Sequence, residues 1–295
     1  MKKVVIVLGP TAVGKTKIGI ELAKRLNTEI ISGDSVQVYK RLDIGSAKVT
    51  KEETQGVKHH LIDILEPTDS YSVADFQKEA RKLMDNMEIP MIVGGTGLYI
   101  KASVSNYEFD APSRDYSFEE EYKDFSNDEL FKLLLELDPK ATLVLHPNNR
   151  KRVLRALYAA KVNEPLSEKN KKDELLYDPY IIYLNTDRSV LYDRINKRVL
   201  KMIDEGLEAE VKALYDEGIT PHAIGYQEWL PYFEGLISKE TVIEEIQKNS
   251  RHLAKRQMTW FRGQMDTNFY EVNLDNIDET IDIIYSDVVK FLEKE

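Results

Sequence analysis

The amino-acid sequence predicts an α/β protein with a doubly wound parallel sheet and a helical insertion. Short apolar, β-branched runs such as Val4–Leu8 alternate with amphipathic helical segments along the N-terminal third of the chain. This alternation is typical of parallel strands joined by helices. The pattern stops at about residue 109 and resumes near Tyr180–Leu184. We therefore expect one α/β core that is interrupted by a second domain.

The first elements are a strand, a helix and two further strands. Val4–Leu8 is a short β-branched run that is followed by Gly9, which is typical of a strand buried in a parallel sheet. From Gly14 to Leu26 apolar residues recur every four positions, which predicts a helix. Ile30-Ile31 predicts the second strand and Leu61–Leu65 the third.

The next helix begins after Ser72, whose hydroxyl can cap it. Its apolar positions step by three and four residues and are Val73, Phe76, Ala80, Leu83 and Met87. Met91–Val93 then predicts a strand that runs into Gly94-Gly95.

The middle of the chain has a different character. Residues 107–125 are aromatic and acidic without a strand period, and Asn127–Leu137 and Asn149–Lys161 predict helices. A polar stretch, Ser167–Glu174, precedes the strand Tyr180–Leu184, and the rest is mostly helical. We expect a core of residues 1–108 and 176–295 with C-terminal helices, and a helical insertion domain of residues 109–175.

Composition excludes several classes of protein. The 295 residues include no cysteine, so disulfide frameworks, cysteine-ligated metals and thiol nucleophiles are excluded. The N-terminal apolar run stops at Gly9-Pro10 without a cleavage site, and no segment approaches the length of a membrane span. We expect a cytoplasmic protein without a membrane partner. The net charge of −10 argues against general stickiness to nucleic acid, but it leaves local basic faces open.

A phosphate-binding motif lies between the first strand and the first helix. The stretch matches G-x-x-x-x-G-K-[ST], and its residues are Gly9, Pro10, Thr11, Ala12, Val13, Gly14, Lys15 and Thr16. Its backbone N–H groups and the helix N-terminus favour phosphate oxygens, Lys15 adds a charge, and the Thr16 hydroxyl is placed for Mg²⁺. The motif predicts diphosphate binding in a P-loop NTPase-like fold, without indicating which diphosphate.

Asp34 and Thr96 each follow a predicted strand. Ligands bind at the carboxyl ends of parallel strands, so Asp34 is a candidate general base or a magnesium ligand through water. Its alternative role is to cap the next turn. Thr96 offers a hydroxyl within Gly94–Tyr99, although a structural turn explains these glycines equally well. His59 and His60 are adjacent on a strand and point to opposite faces, which predicts hydrogen-bonding histidines rather than a metal site.

Basic residues cluster in two helical runs. The first contains Arg150, Lys151, Arg152 and Arg155, and the second places Lys248, Arg251, Lys255 and Arg262 on one helix face. Solvated helix faces explain such runs, but two of them in an acidic chain favour contact with a phosphate backbone. Arg194 and Arg198 lie one helical turn apart, as in transferases that clamp phosphates, or on a plain surface helix.

Together, the motifs resemble the tRNA dimethylallyltransferase family, also called tRNA isopentenyltransferases. The matching stretches are Gly9–Thr16, Asp34–Tyr39, Asp43–Lys48, His59–Asp63, Gly94–Tyr99, Arg152–Leu157, Ala223–Tyr226 and Arg256–Arg262. They extend from the N-terminus to near residue 262, and their order makes the resemblance specific.

The resemblance implies transfer of a dimethylallyl group from dimethylallyl diphosphate to N6 of adenosine 37, beside the tRNA anticodon, with release of diphosphate. It implies catalytic roles for Asp34, Thr96 and Arg198, with Mg²⁺ at Thr16. The implied tRNA contacts are Asp34, Ser35, Val36, Gln37, Thr96, Lys151, Arg152, Val153, Leu154, Arg155, His222, Ala223, Ile224, Gly225, Tyr226 and Gln227. From the charge pattern we add Lys248, Arg251 and Lys255. The expected partners are the tRNA anticodon stem-loop, with the insertion domain contributing, and dimethylallyl diphosphate; we expect a monomer, although the residues themselves do not determine oligomeric state.

Three alternatives differ in chemistry. A small-molecule P-loop kinase would use ATP and Asp34 as base toward a hydroxyl. A prenyltransferase acting on free adenine nucleotides would not need the basic segments. A non-catalytic RNA-binding protein with a nucleotide switch would not need Asp34 and Thr96 at one site.

Overall fold

The computed structural model describes residues 1–107, 116–162, 165 and 174–294. The chain forms two compact units, one of Met1–Ser105 with Leu175–Glu295 and one of Asn106–Glu174. The predicted boundary at 108/109 and all but the last residue of the polar stretch Ser167–Glu174 lie outside the described residues.

A parallel sheet forms the centre of the first unit. Its strands are β1 (Lys3–Leu8), β2 (Ile30–Gly33), β3 (His59–His60), β4 (Met91–Gly94), β5 (Asp178–Asn185) and β6 (Asn268–Glu271). Their order is β3-β2-β4-β1-β5-β6, and every pairing is parallel. The predicted doubly wound α/β fold is confirmed. Because β1 lies where the strand order reverses, its carboxyl end faces the crevice in which such sheets bind ligands.

Helices connect the strands and form the second unit. In chain order they are α1 (Lys15–Arg25), α2 (Val73–Asn86), α3 (Gly97–Val104), α4 (Tyr116–Glu121), α5 (Asn127–Leu137), α6 (Pro139–Thr142), α7 (Arg150–Lys161), α8 (Arg188–Asp204), α9 (Leu207–Asp216), α10 (Leu230–Phe233), α11 (Lys239–Gln264) and α12 (Ile277–Glu293). Ser72 caps α2 as predicted, in a capping box with Asp75. Among the described residues, no helix has the length and apolar character needed to cross a membrane.

Side chains alternate between the two faces of β1, and each face has its own core. Val5 and Val7 pack in a cluster with residues of α1, α8 and α12. Ile6 and Leu8 pack on the opposite face with residues of α2 and α3 and with Phe261 of α11. Burial on both faces explains why β1 is a continuous apolar run rather than an alternating one.

The second unit has a small helical core. Leu130 and Leu134 of α5 pack against buried residues of α7. Ser126 caps α5 in a capping box with Glu129. The Arg150 guanidinium donates to the carbonyl oxygens of Tyr122 and Lys123 near the end of α4, so this basic residue holds the unit together.

Two predictions about strands fail for identifiable reasons. The predicted strand Leu61–Leu65 is wrong: only His59–His60 pairs with β2, because Leu61 and Asp63 have φ values of 60° and 55°, which no strand accommodates. The sequence also gave no sign of β6. Most of its residues are exposed at the sheet edge, so it lacks an apolar pattern.

Glycines let β2 and β4 approach at their carboxyl ends, which makes Gly94→Ala informative. A Cβ at residue 94 would lie 2.3 Å from the carbonyl oxygen of Gly33. We expect this variant to lose about 2 kcal/mol or more of unfolding free energy in urea denaturation, since backbone atoms must move apart. The matched control is Gly263→Ala, which lies in α11 with open space around it and should gain about 0.5–1 kcal/mol. Equal stability of both variants would contradict the close-approach argument.

Candidate active site

The phosphate-binding loop turns sharply between β1 and α1. At Gly9 a Cβ would lie 2.6 Å from the carbonyl oxygen of Leu184, so only glycine fits. Ala12 has a left-handed φ of 65°, and Gly14, with φ of 107°, precedes the first turn of α1. These conformations turn the loop around the helix N-terminus, where N–H groups and the helix dipole favour an anion.

Lys15 lies folded back over this loop. Its Nζ donates to the carbonyl oxygens of Gly9 at 3.0 Å and Pro10 at 2.8 Å. Burial, and then the charge of the neighbouring Arg198, lower the pKa of Lys15 to about 8, while the Asp34 charge opposes the shift. The ammonium group is therefore short of compensating negative charge, which a bound diphosphate would supply.

Two arginines of α8 reach the same loop. Arg194 Nε donates to the Ala12 carbonyl oxygen at 3.0 Å, which supports the left-handed residue. Arg198 makes long contacts of 3.5 Å with Thr11 Oγ1 and with the Ala47 carbonyl oxygen. Burial lowers the pKa of Arg198 and the Asp34 charge opposes this. Both guanidinium groups therefore contact residues of the phosphate-binding loop, which the interpretation as a plain surface helix does not account for.

Asp34 makes the capping contacts that its position suggested. Its Oδ1 accepts from the backbone N–H groups of Val36 at 2.8 Å and Gln37 at 3.2 Å, so it caps the turn after β2. Its charge also raises the pKa of Lys15 and contributes to raising that of Tyr99. The carboxylate is thus oriented by the turn and close to the cations of the loop.

Thr96 lies beside the turn that follows β2. Its N–H donates to the Gly33 carbonyl oxygen at 3.1 Å, and its hydroxyl lies 3.4 Å from the Ser35 hydroxyl. The structure therefore brings Asp34, Ser35 and Thr96 to one place at the carboxyl ends of β2 and β4, an arrangement that the family resemblance implies.

Gln257 is a site residue that the sequence analysis missed. Its Oε1 accepts from the Thr11 N–H at 2.9 Å, and its Nε2 donates to the Gly95 carbonyl oxygen at 3.0 Å. One amide of α11 thus joins the phosphate-binding loop to the glycine turn after β4. It lies within the matching stretch Arg256–Arg262, but a lone glutamine carries no signal of such a role.

The segment His222–Gln227 divides into exposed and buried residues. His222 and Gln227 are exposed, and Ala223 and Ile224 are half-buried. Gly225 and Tyr226 are buried, and the Tyr226 phenol donates to Glu210 at 2.7 Å. The expectation that the Tyr226 side chain contacts tRNA is wrong, because it packs inside the first unit.

The basic run in α7 likewise presents only part of itself to solvent. Lys151, Arg152 and Arg155 are exposed. Val153 and Leu154 are buried in the core of the second unit. The expectation that these two apolar side chains contact tRNA is therefore wrong, whereas the three cations form one exposed face.

The basic face of α11 is partly occupied by contacts within the protein. Lys248 forms an ion pair with Glu245 at 3.0 Å, and the half-buried Arg251 donates to Asn196 Oδ1 at 2.5 Å. Lys255 is exposed. Helical spacing gave the direction of these side chains but not the contact of Arg251 with α8.

The donor set at Thr16 is compatible with magnesium. Thr16 is exposed in the first turn of α1, and the described residues contain no group of three or more acidic or histidine side chains that would form a metal cage. Mg²⁺ commonly keeps its waters and binds phosphate oxygens with one or two protein ligands, so no cage is needed. His59 Nδ1 and His60 Nε2 instead contact the Val57 carbonyl oxygen and Glu29 respectively.

Comparisons with known proteins agree with one another. The IPP transferase family model matches residues 37–264. A tRNA dimethylallyltransferase of Anoxybacillus flavithermus is 48% identical over 94% of this chain and 93% of that protein. The crystal structure of a full-length tRNA isopentenylpyrophosphate transferase from Bacillus halodurans is 42% identical, with a TM-score of 0.76 over 99% of this chain and 97% of that one. A eukaryotic dimethylallyltransferase acting on tRNA is 26% identical, with a TM-score of 0.82 over 98% of this chain and 80% of that one.

The pKa of Lys15 predicts how diphosphate affinity changes with pH. Because the ammonium has a pKa of about 8 and the bound anion favours its charged form, affinity is highest below pH 8. Above that value it should fall by roughly tenfold per pH unit, until the pKa of the complex is reached. Calorimetric titration with an alkyl diphosphate measures this profile above about pH 7, since the last ionisation of a phosphate group has a pKa of about 6.

The matched control is Lys17→Ala, which removes an exposed lysine of the same helix and should leave the profile unchanged. Lys15→Ala should abolish the pH dependence together with most of the affinity. A flat profile in the unaltered protein would show that Lys15 does not contact the diphosphate.

Proposed function

The chain belongs to the tRNA dimethylallyltransferase family, and we propose from this premise that it transfers a dimethylallyl group from dimethylallyl diphosphate to N6 of adenosine 37 of tRNA. The observation that carries the proposal is the half-buried pair Lys15 and Arg198 at the phosphate-binding loop, with the oriented Asp34 carboxylate beside it. Cations for a leaving diphosphate and a base for an amine are what this reaction needs.

The bond changes match these residues. The allylic C1–O bond breaks, the C1–N6 bond forms, and the N6 proton passes to a base. The loop N–H groups, Lys15 and Arg198 hold the diphosphate while it gains charge. The N6 amine is a weak nucleophile because its lone pair is delocalised into the ring, so the Asp34 carboxylate takes the proton as the bond forms. Mg²⁺, held by Thr16 and the phosphate oxygens, would supply further neutralising charge.

The acceptor side of the site is formed by the turn after β2 and the glycine turn after β4. Asp34–Gln37 and Thr96 converge there and offer carboxylate, amide and hydroxyl groups to an adenine edge. A base inside the anticodon loop must leave its stack to reach them. These groups, the phosphate-binding loop and Arg198 all belong to the first unit, so we expect one chain to suffice, acting on tRNA in the cytoplasm.

A small-molecule kinase is the main alternative. The family match begins at residue 37, after the phosphate-binding loop, so it does not depend on that shared motif. It therefore favours prenyl transfer. The deciding experiment incubates the protein and Mg²⁺ with unmodified tRNA and either labelled dimethylallyl diphosphate or γ-labelled ATP. Label from the diphosphate substrate should enter adenosine 37; phosphoryl transfer without tRNA prenylation would overturn the proposal.

The variant Asp34→Asn tests the role of Asp34 as a base separately from its role in capping the turn. The amide oxygen can still accept from the N–H groups of Val36 and Gln37, so the fold should persist while the proton acceptor is lost. We expect single-turnover rates to fall by about 10²–10⁴-fold, with donor affinity nearly unchanged. A variant that keeps most of its rate would leave Asp34 with the capping role alone.

The exposed face of Lys151, Arg152 and Arg155 should contribute to tRNA affinity through phosphate contacts. Replacing all three with alanine should weaken binding and flatten the log–log salt dependence by about two to three units, since each phosphate contact contributes about 0.7–0.9. Donor affinity should not change.

Lys197, Lys201 and Lys212 provide a charge-matched control. All three form exposed ion pairs on α8 and α9, and their triple alanine variant has the same net charge. If both triple variants show the same salt slope, the α7 face is merely solvated. Fluorescence anisotropy with labelled tRNA at several salt concentrations measures both.

A further inference from the structure

Glu210 of α9 makes an unusual set of contacts for a side chain outside the reaction site. Its carboxylate accepts from three successive backbone N–H groups, those of Asp43 at 3.1 Å, Ile44 at 2.8 Å and Gly45 at 3.1 Å. It also accepts from the Tyr226 phenol at 2.7 Å. Successive N–H groups that converge in this way form a small anion-binding concavity, and here the anion belongs to the protein itself.

Tight packing reinforces the hydrogen bonds. A Cβ on Gly45 would lie 2.5 Å from the Tyr226 ring, so the backbone of the segment Asp43–Ala47 rests directly on this buried side chain. Burial, and then the charge of Glu210, raise the pKa of Tyr226, so its phenol stays protonated and donates. On the other side of the segment, Lys48 Nζ contacts Asp43 and Asp63.

The segment held by Glu210 contacts the reaction site directly. Gln37 Nε2 donates to the carbonyl oxygens of Ser46 at 3.3 Å and Ala47 at 3.2 Å. Arg198 Nη2 lies 3.5 Å from the same Ala47 oxygen. Any displacement of Asp43–Ala47 therefore moves partners of one residue on the acceptor side and one on the diphosphate side.

We propose that Glu210 is a positioning residue for the transfer reaction, which fixes the segment Asp43–Ala47 and through it the Gln37 amide and the Arg198 guanidinium. By also binding Tyr226, it sets the segment His222–Gln227 in a fixed relation to the turn Asp34–Gln37. The inference rests on the proposed function, since it concerns the same reaction. Glu210 touches neither substrate and acts through these contacts.

A neighbouring glutamate offers a matched control. Glu208 lies on the same helix, is half-buried like Glu210, and accepts from the Tyr232 phenol at 3.1 Å and from Lys239 at 2.7 Å. Neither of these partners belongs to the segment Asp43–Ala47. Glu208→Gln therefore reports the general cost of removing a carboxylate from α9.

Steady-state kinetics of Glu210→Gln and Glu208→Gln test the proposal. In Glu210→Gln an NH2 donor replaces one of the two acceptor oxygens and faces backbone N–H groups that need an acceptor. The segment Asp43–Ala47 should therefore shift. We expect kcat/KM for tRNA to fall by about 10-fold to 100-fold, as for small misplacements of reacting groups. Kd for the diphosphate donor should rise only a few-fold, because Arg198 loses the alignment of one contact while Lys15 and the loop N–H groups are unaltered. Glu208→Gln should retain activity, and both variants should melt at similar temperatures.

Tyr226→Phe adds a second, milder test. It removes only the phenolic hydroxyl group and should lower kcat/KM for tRNA a few-fold. In the double variant with Glu210→Gln it should cause no further loss, because both substitutions act through one contact. Equal kinetics for the two glutamine variants, or additive losses in the double variant, would overturn the positioning role. If Glu210→Gln does not fold, a Tyr226→Phe enzyme with unchanged kcat/KM for tRNA would overturn the positioning role. Absence of prenyl transfer in the unaltered protein would instead overturn the proposed function.

Discussion

Two cations partly withdrawn from water govern the organisation of this molecule. Burial lowers the pKa of both Lys15 and Arg198, the Arg198 charge adds to the shift at Lys15, and the Asp34 carboxylate opposes both shifts. A site with this excess of positive charge is less stable empty than with an anion present. A bound diphosphate would thus supply the negative charge that this site lacks.

The surrounding structure keeps these charges in place with backbone contacts. Lys15 and Arg194 donate to carbonyl oxygens of the loop, and Gln257 joins the loop to Gly95. The close approach of β2 and β4 allows the Thr96 N–H to reach the Gly33 carbonyl oxygen. Three strand ends are therefore fixed relative to one another before any substrate binds, which reduces the reorganisation that the reaction requires.

The acceptor side is also held by contacts with the backbone, but the charged group there is a carboxylate rather than an ammonium. Glu210 holds a segment by its N–H groups, whereas Lys15 contacts a loop by its carbonyl oxygens. The segment held by Glu210 then contacts Gln37 and Arg198. One chain of hydrogen bonds runs from α9 to the phosphate-binding loop, so residues remote from the chemistry can influence it.

The sequence alone determined the fold class, the phosphate-binding loop and the placement of Asp34 and Thr96 at strand ends. These follow from local periodicity and from motifs in which spacing itself encodes the geometry. Strand β6 escaped prediction because its exposed edge residues leave no apolar pattern. The stretch Leu61–Leu65 was wrongly predicted as a strand because its apolar residues do not reveal the positive φ angles of Leu61 and Asp63.

Only the tertiary structure decided which side chains contact one another. Val153 and Tyr226 lie in matching stretches, yet they are buried, and Gln257 and Glu210 carried no local signal, yet they join distant loops. A residue's partners depend on elements far away in the chain, since hydrogen bonds form between whichever groups the packing brings together. The local sequence pattern determines the direction of a side chain, and only the fold determines which groups it contacts.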